Sequence, residues 1–165
     1  MGEPLLTFRE LLDYTAAETA RWEAHFRADP AALDVPFAEG VTATVGGLVR
    51  HVFAVELRHT RRLYGRAVPG YEAVPAAPPA AMFAAGRDAR AELEAYLAAA
   101  TPEDLDGVLE FDTLTGGRLR LSRRKLAAHV LLHGVRHWAQ VASHLRAAGR
   151  PGPGRHDLAF SDALG

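Results

Sequence analysis

His129, His133 and His137 recur every four residues in the stretch AAHVLLHGVRHWAQVASHLRAAG. On an α-helix each step of four turns the axis by only about 40°, so the three imidazoles line one face, and His144 continues the stripe two turns later. The same face carries Leu126, Val130 and Val141 and is therefore the apolar, inward one. A neutral imidazole nitrogen is a good ligand for a divalent metal ion. A helix that aims several of them at its own core face presents half of a metal site. The other half is expected from a histidine on a different helix, and His51 is the best candidate.

Spacing limits which histidines share one ion. Zn–N bonds are about 2.0–2.1 Å, so two ligands on one helix lie about one turn apart. His129 and His137 stand eight residues apart, about 12 Å along the axis, and do not bind the same ion directly. Two pairings stay open, His129 with His133 or His133 with His137, each completed by His51. No Asp or Glu shares the inner stripe near these positions, and Glu56 sits about 140° around its helix from His51. Three protein ligands leave open positions for water or substrate, the pattern of a catalytic rather than a structural site. His133-Gly-Val-Arg-His137 lacks the glutamate of H-E-x-x-H, which speaks against zincin chemistry. His25, His59, His144 and His156 are read as non-ligands, with His59 and His129 as pocket-lining residues. Arg58, Arg62 and Arg136 are placed to meet an anion, although solvation at the surface is the simpler reading for each.

The elements that position these residues can be read from capping and periodicity. Thr7-Phe-Arg-Glu10 is a capping box opening a helix over about residues 7–28, with Asp29-Pro30 at its end. A Pro- and Ala-containing connection follows, and Thr42 or Thr44 caps a second helix running to about Tyr64, with Val45, Leu48, Val52, Val55, His51, His59 and Arg62 on its inner stripe. The segment AVPGYEAVPAAPPA is too rich in proline for regular structure and reads as a long surface crossover. A third helix spans about Ala80 to Ala99. Thr101-Pro102 starts a short turn, and VLEFDTLTGGRLRLS alternates around Gly116-Gly117 as a β-hairpin. Ser122 caps the last helix, which carries the histidine stripe and ends at Gly149. The tail after it is irregular. Four amphipathic helices predict an all-α four-helix bundle, one domain over residues 1–165, with a long crossover between helices two and three and a small hairpin before helix four.

Composition narrows the function classes. The chain has 165 residues, is 48% hydrophobic and 24% charged, and carries a formal net charge of −1. Its overall charge gives no footprint for nucleic acid. No stretch approaches the roughly 20 apolar residues of a membrane span, and MGEPLLTFRE lacks the basic and apolar regions of a signal peptide, so the cytoplasm is the expected compartment. Cysteine is absent, so thiolate ligands and Cys nucleophiles are excluded and any thiol must come from another molecule. Lys125 is the single lysine against many arginines, and alanine is abundant, a pattern that points to a GC-rich bacterial genome.

The segments GGLVRHVFAVE, FDTLTGGRLRLS and HVLLHGVRHWAQVASHLRAAGRPG, with the late Asp157, resemble the DinB-like (YfiT-like) metalloenzyme family over almost the whole chain. The resemblance implies one ligand histidine in helix two, an H-x-x-x-H pair in the last helix and a glutamine three residues later: His51, His133, His137 and Gln140. It also implies one divalent ion, zinc or nickel first and iron or manganese next, a low-molecular-weight thiol such as bacillithiol or mycothiol as cosubstrate, and a homodimer. The expected function is that of a metal-dependent transferase or hydrolase acting on a small-molecule substrate, with a non-catalytic metal- or ligand-binding bundle as the alternative. His129, Gln140, His59 and Arg62 are expected around the metal, and neither nucleic acid nor membrane is an expected partner.

Overall fold

The computed structural model of the protein describes residues 6–38, 42–113 and 117–162. Its elements are α1 (Phe8–Ala28), α2 (Val45–Leu63), α3 (Pro79–Ala99), the short α4 (Pro102–Asp106), strands β1 (Val108–Thr113) and β2 (Gly117–Ser122), and α5 (Arg123–Ala147). The four long helices form the expected bundle, with the hairpin before the last of them. No helix among the described residues is long and apolar enough to cross a membrane.

Each boundary has a local chemical cause. Thr7 and Glu10 form a reciprocal capping box at α1, and Thr44, rather than Thr42, caps α2 by accepting from the Gly47 N–H. Thr101 and Asp104 repeat the box on α4, with Pro102 in the first turn. Ser122 caps α5 through the Lys125 N–H. At the far end of α5 the chain turns through Gly149 at φ +72°. There the Arg150 N–H reaches back to the Leu145 carbonyl at 2.8 Å, closing the helix as a Schellman motif.

α2 packs against both α3 and α5, and α1 packs against the same two helices from the opposite corner. The core has two clusters. One gathers Trp22, Phe26, Leu48, Phe53, Phe83 and Trp138, with Trp22 and Trp138 stacked at 5.3 Å. The other gathers Leu12, Leu63, Leu93, Leu126 and Leu131. Gly86 lets α3 come close to α2: a Cβ there would lie 2.5 Å from the Phe53 ring. Glu56, which points away from the histidines, forms a buried ion pair with Arg90 of α3. Arg90 also donates to the Thr15 hydroxyl, so one guanidinium ties α1, α2 and α3 together.

The hairpin is antiparallel, pairing Val108 with Ser122 through Thr113 with Gly117. Along β1 exposure alternates, so Leu109, Phe111 and Thr113 face inward. Gly116, half of the expected turn, lies outside the described residues.

Both irregular segments are fastened to the bundle by specific contacts. The crossover between α2 and α3 is more than a surface strap. Val74 is fully buried, a 3-10 turn forms at Tyr71–Ala73, and Arg50 of α2 donates to the carbonyls of Val74 and Tyr71 at 2.7 and 3.0 Å. The tail after α5 is also anchored: Arg150 pairs with Asp29 at 2.6 Å, and His156 meets the buried Glu18 at 2.9 Å.

Candidate metal centre

α2 and α5 bring His51, His133 and His137 together. Each of the three offers a ligand nitrogen, and these nitrogens lie within 4.8 Å of one another. The Nε2 atoms of His133 and His137 are 3.0 Å apart, close to the about 3.3 Å edge of a tetrahedron with zinc–nitrogen bonds. The His51 ring centre is 5.1 Å from both of theirs. Gly134 sits beside His133 and faces Val52 across the interface.

Two further side chains orient these rings. His137 Nδ1 faces the Gln140 Oε1 at 2.5 Å. The amide oxygen only accepts, so Nδ1 carries the proton and Nε2 keeps its lone pair for a metal. His51 Nδ1 meets the Tyr71 hydroxyl at 2.7 Å. With Nδ1–H donating to the phenol oxygen, Nε2 of His51 is the free ligand atom. Tyr71 comes from the crossover and was not singled out in the sequence. Its only signal there is an aromatic residue inside a proline- and glycine-rich stretch.

Burial keeps the imidazoles neutral. Desolvation, helped by the charge of His137, takes His51 down to about 4. Desolvation and the neighbouring histidines take His133 down to about 2. The same burial lowers His137, against the Gln140 hydrogen bond, which raises it. Three neutral nitrogens, one of them on a ring whose tautomer Gln140 sets, suit a divalent ion of the zinc type.

The remaining residues form a pocket of about 240 Å³ beside the cluster, lined by Val55, Arg58, His59, Arg62, Tyr71, Thr113 and His129 along with His51 and His133. His59 and His129 are 5.6 Å apart between ring centres. Burial, followed by the charges of Arg62, His129 and Arg58, takes His59 to about 3, while His129 stands exposed at the rim. His129 lies outside the three-histidine group among the described residues. Arg62 lies over the Phe111 ring at 4.5 Å, and Arg58 reaches the Pro69 carbonyl. Arg58 and Arg62 both line the pocket, whereas Arg136 is exposed. His144 packs against Phe37 at 4.7 Å, away from the site.

The profile of the DinB superfamily matches residues 14–141, most of the chain, from α1 to beyond Gln140. The chain belongs to the DinB superfamily. No curated protein matches it closely enough to bring an activity with it. For this DinB-superfamily protein, membership and the three-histidine cluster together are compatible with metal binding. The matched span holds both helices that carry the cluster and ends before the tail, so the Glu18–His156 contact joins the matched region to residues outside it.

Proposed function

We propose that His51, His133 and His137 hold one divalent ion, zinc or nickel, and that the protein is a metal-dependent enzyme acting on a small molecule. The reaction is a group transfer or hydrolysis, with a low-molecular-weight thiol as cosubstrate. The observation that carries this reading is the convergence of three histidine nitrogens within 4.8 Å at the wall of a pocket. A divalent ion held there supplies Lewis acidity, which lowers the pKa of a thiol or water and readies it as a nucleophile.

The chain's own residues do the rest. Tyr71 and Gln140 hold two of the ligand rings in one orientation. Thr113 of the hairpin and Tyr71 of the crossover line the pocket, and Phe111 backs it by packing under Arg62. No carboxylate lines the pocket among the described residues, so the bases available outside the ligands are imidazoles. The burial that takes His59 to about 3 makes it a poor base, and His129 at the rim is the better proton acceptor, with an open path to solvent. The chain contains no cysteine, so the thiol arrives as a separate molecule.

The test is to incubate zinc- or nickel-loaded protein with a panel of low-molecular-weight thiols and small electrophiles, and to follow conjugates and hydrolysis products by mass spectrometry. Turnover that depends on metal and disappears in His51→Ala supports the enzyme. Stoichiometric metal binding with no turnover across both the thiol and the hydrolysis panels supports a binding bundle instead.

A further inference from the structure

Arg58 and Arg62 stand one turn apart on α2 and both line the pocket beside the histidine cluster. Most arginines of this chain with a defined contact are neutralised by a carboxylate, as Arg9, Arg61, Arg66, Arg87, Arg90, Arg118 and Arg124 are. Arg58 and Arg62, like Arg50 and Arg123, have no such partner among the described residues; what sets them apart is that both line the pocket beside the histidines. Arg58 donates to the Pro69 carbonyl and lies 5.8 Å from the Tyr71 ring centre. Arg62 meets the His59 ring nitrogen at 3.4 Å and the face of Phe111. Among the described residues neither has a carboxylate within ion-pair distance, and both are partly buried.

Two like charges held close together at a partly dehydrated wall repel each other, and burial and Arg58 both lower the pKa of Arg62. Such an arrangement is costly unless an anion completes it. The contacts already made use one terminal nitrogen of each fork, and the remaining N–H groups suit the planar, two-oxygen geometry of a carboxylate. The rest of the wall is Val55, Tyr71 and Thr113, which suits an organic body. A volume of about 240 Å³ falls below the roughly 300–1,000 Å³ of drug-sized ligand sites.

We propose that Arg58 and Arg62 form a carboxylate subsite, so that the substrate of this centre is a small organic acid whose anionic end is held by α2 while its reactive end faces His51 and His133. The proposal rests on the metal-centre reading for the position of the reactive end. The anion subsite itself needs no metal.

That independence shapes the experiment. Benzoate, its neutral counterpart benzamide, and inorganic phosphate are titrated into the full chain, zinc-loaded and chelated, with binding followed by calorimetry and by amide chemical shifts of residues 58–62. The expected result is saturable benzoate binding in both metal states, with benzamide and phosphate weaker by about tenfold or more. Arg62→Gln and Arg58→Gln should each lose about tenfold, the factor that goes with one charge-assisted hydrogen bond. Arg62→Lys, which keeps the charge and loses the fork, should retain part of the affinity, and the exposed Arg136→Gln should stay within about twofold of the parent. Thermal melts of each variant check the fold. Benzamide binding as tightly as benzoate, phosphate binding in preference to both, or Arg62→Gln and Arg62→Lys folding normally with unchanged affinity would each overturn the subsite. Normal benzoate binding in a chelated protein whose parent takes up no zinc would leave the subsite standing and remove the metal reading.

Discussion

Tyr71 stands 20 positions after His51 and still meets its Nδ1 at 2.7 Å. A residue that hydrogen-bonds a ligand ring without touching the ion typically changes metal affinity by about 10–100-fold when removed. Tyr71→Phe and Gln140→Ala are each expected to weaken zinc binding by about that factor while leaving one ion per chain, measured by competition with a chromophoric chelator. His129→Ala should leave both affinity and stoichiometry near the parent's. If His129→Ala abolishes binding and His137→Ala does not, the ligand pair is one turn earlier. At this scale the sequence was most informative where helix geometry does the placing. Four-residue spacing sets the distance within a pair but leaves His129–His133 and His133–His137 equal; the resemblance to the DinB-like family is what singles out His133, His137 and Gln140. Tyr71 was illegible because the path of the crossover sets its distance to His51, and that path depends on Arg50 and Arg58 gripping backbone carbonyls.

Among the elements, two glycines make opposite predictions. A Cβ on Gly134 would meet Val52 at an ordinary 3.7 Å, so Gly134→Ala should fit and stabilise α5 by about 0.5–1 kcal/mol through helix propensity. A Cβ on Gly86 would lie 2.5 Å from the Phe53 ring. That ring packs edge-on against Phe83 at 5.2 Å and Trp138 at 6.2 Å, so moving it disturbs both contacts. Gly86→Ala should therefore cost about 1–3 kcal/mol by overpacking, read by urea melts. The Glu56–Arg90 pair adds a third case. Glu56→Ala leaves a largely buried guanidinium without its carboxylate and should cost up to about 3 kcal/mol, whereas a double replacement by apolar residues should recover most of the loss. Helix starts were legible because threonine and serine caps are local chemistry, seen at Thr7, Thr101 and Ser122. The Glu56–Arg90 pair was not, because sequence periodicity gives the azimuth of Glu56 on α2 without giving its neighbour on α3.

For the whole molecule the histidines couple stability to pH. An unfolded histidine titrates near 6.5, whereas in the folded protein burial takes His51 to about 4 and His59 to about 3. Between those values the unfolded chain binds more protons than the folded one, so stability is fully present above about pH 6.5 and falls as the pH drops toward the folded values. Metal-free protein should therefore lose melting temperature steeply between pH 6.5 and 4, and His59→Gln, which removes one buried imidazole, should flatten that slope. Thermal melts in chelator across this range provide the check, and a level profile would contradict it. Bound metal deepens the effect, since protons compete for its ligands. Chelation should lower the melting temperature at pH 7.5 and change little near pH 4.5. The four-helix bundle, its crossover and its hairpin were legible in the pattern of caps, prolines and apolar stripes. The docking of the tail was not, because it depends on single contacts such as His156 with Glu18 rather than on any repeat.

Zinc titration of tag-free, metal-stripped protein at pH 7.5 by calorimetry, for the parent and for His51→Ala, tests the three-histidine centre most directly. The parent should bind one ion per chain, and His51→Ala should keep its fold and bind at least about 100-fold more weakly, because two ligands on α5 are left without the third from α2. Equal affinity and stoichiometry in the two proteins, or no uptake by the parent, would contradict a centre built from His51, His133 and His137.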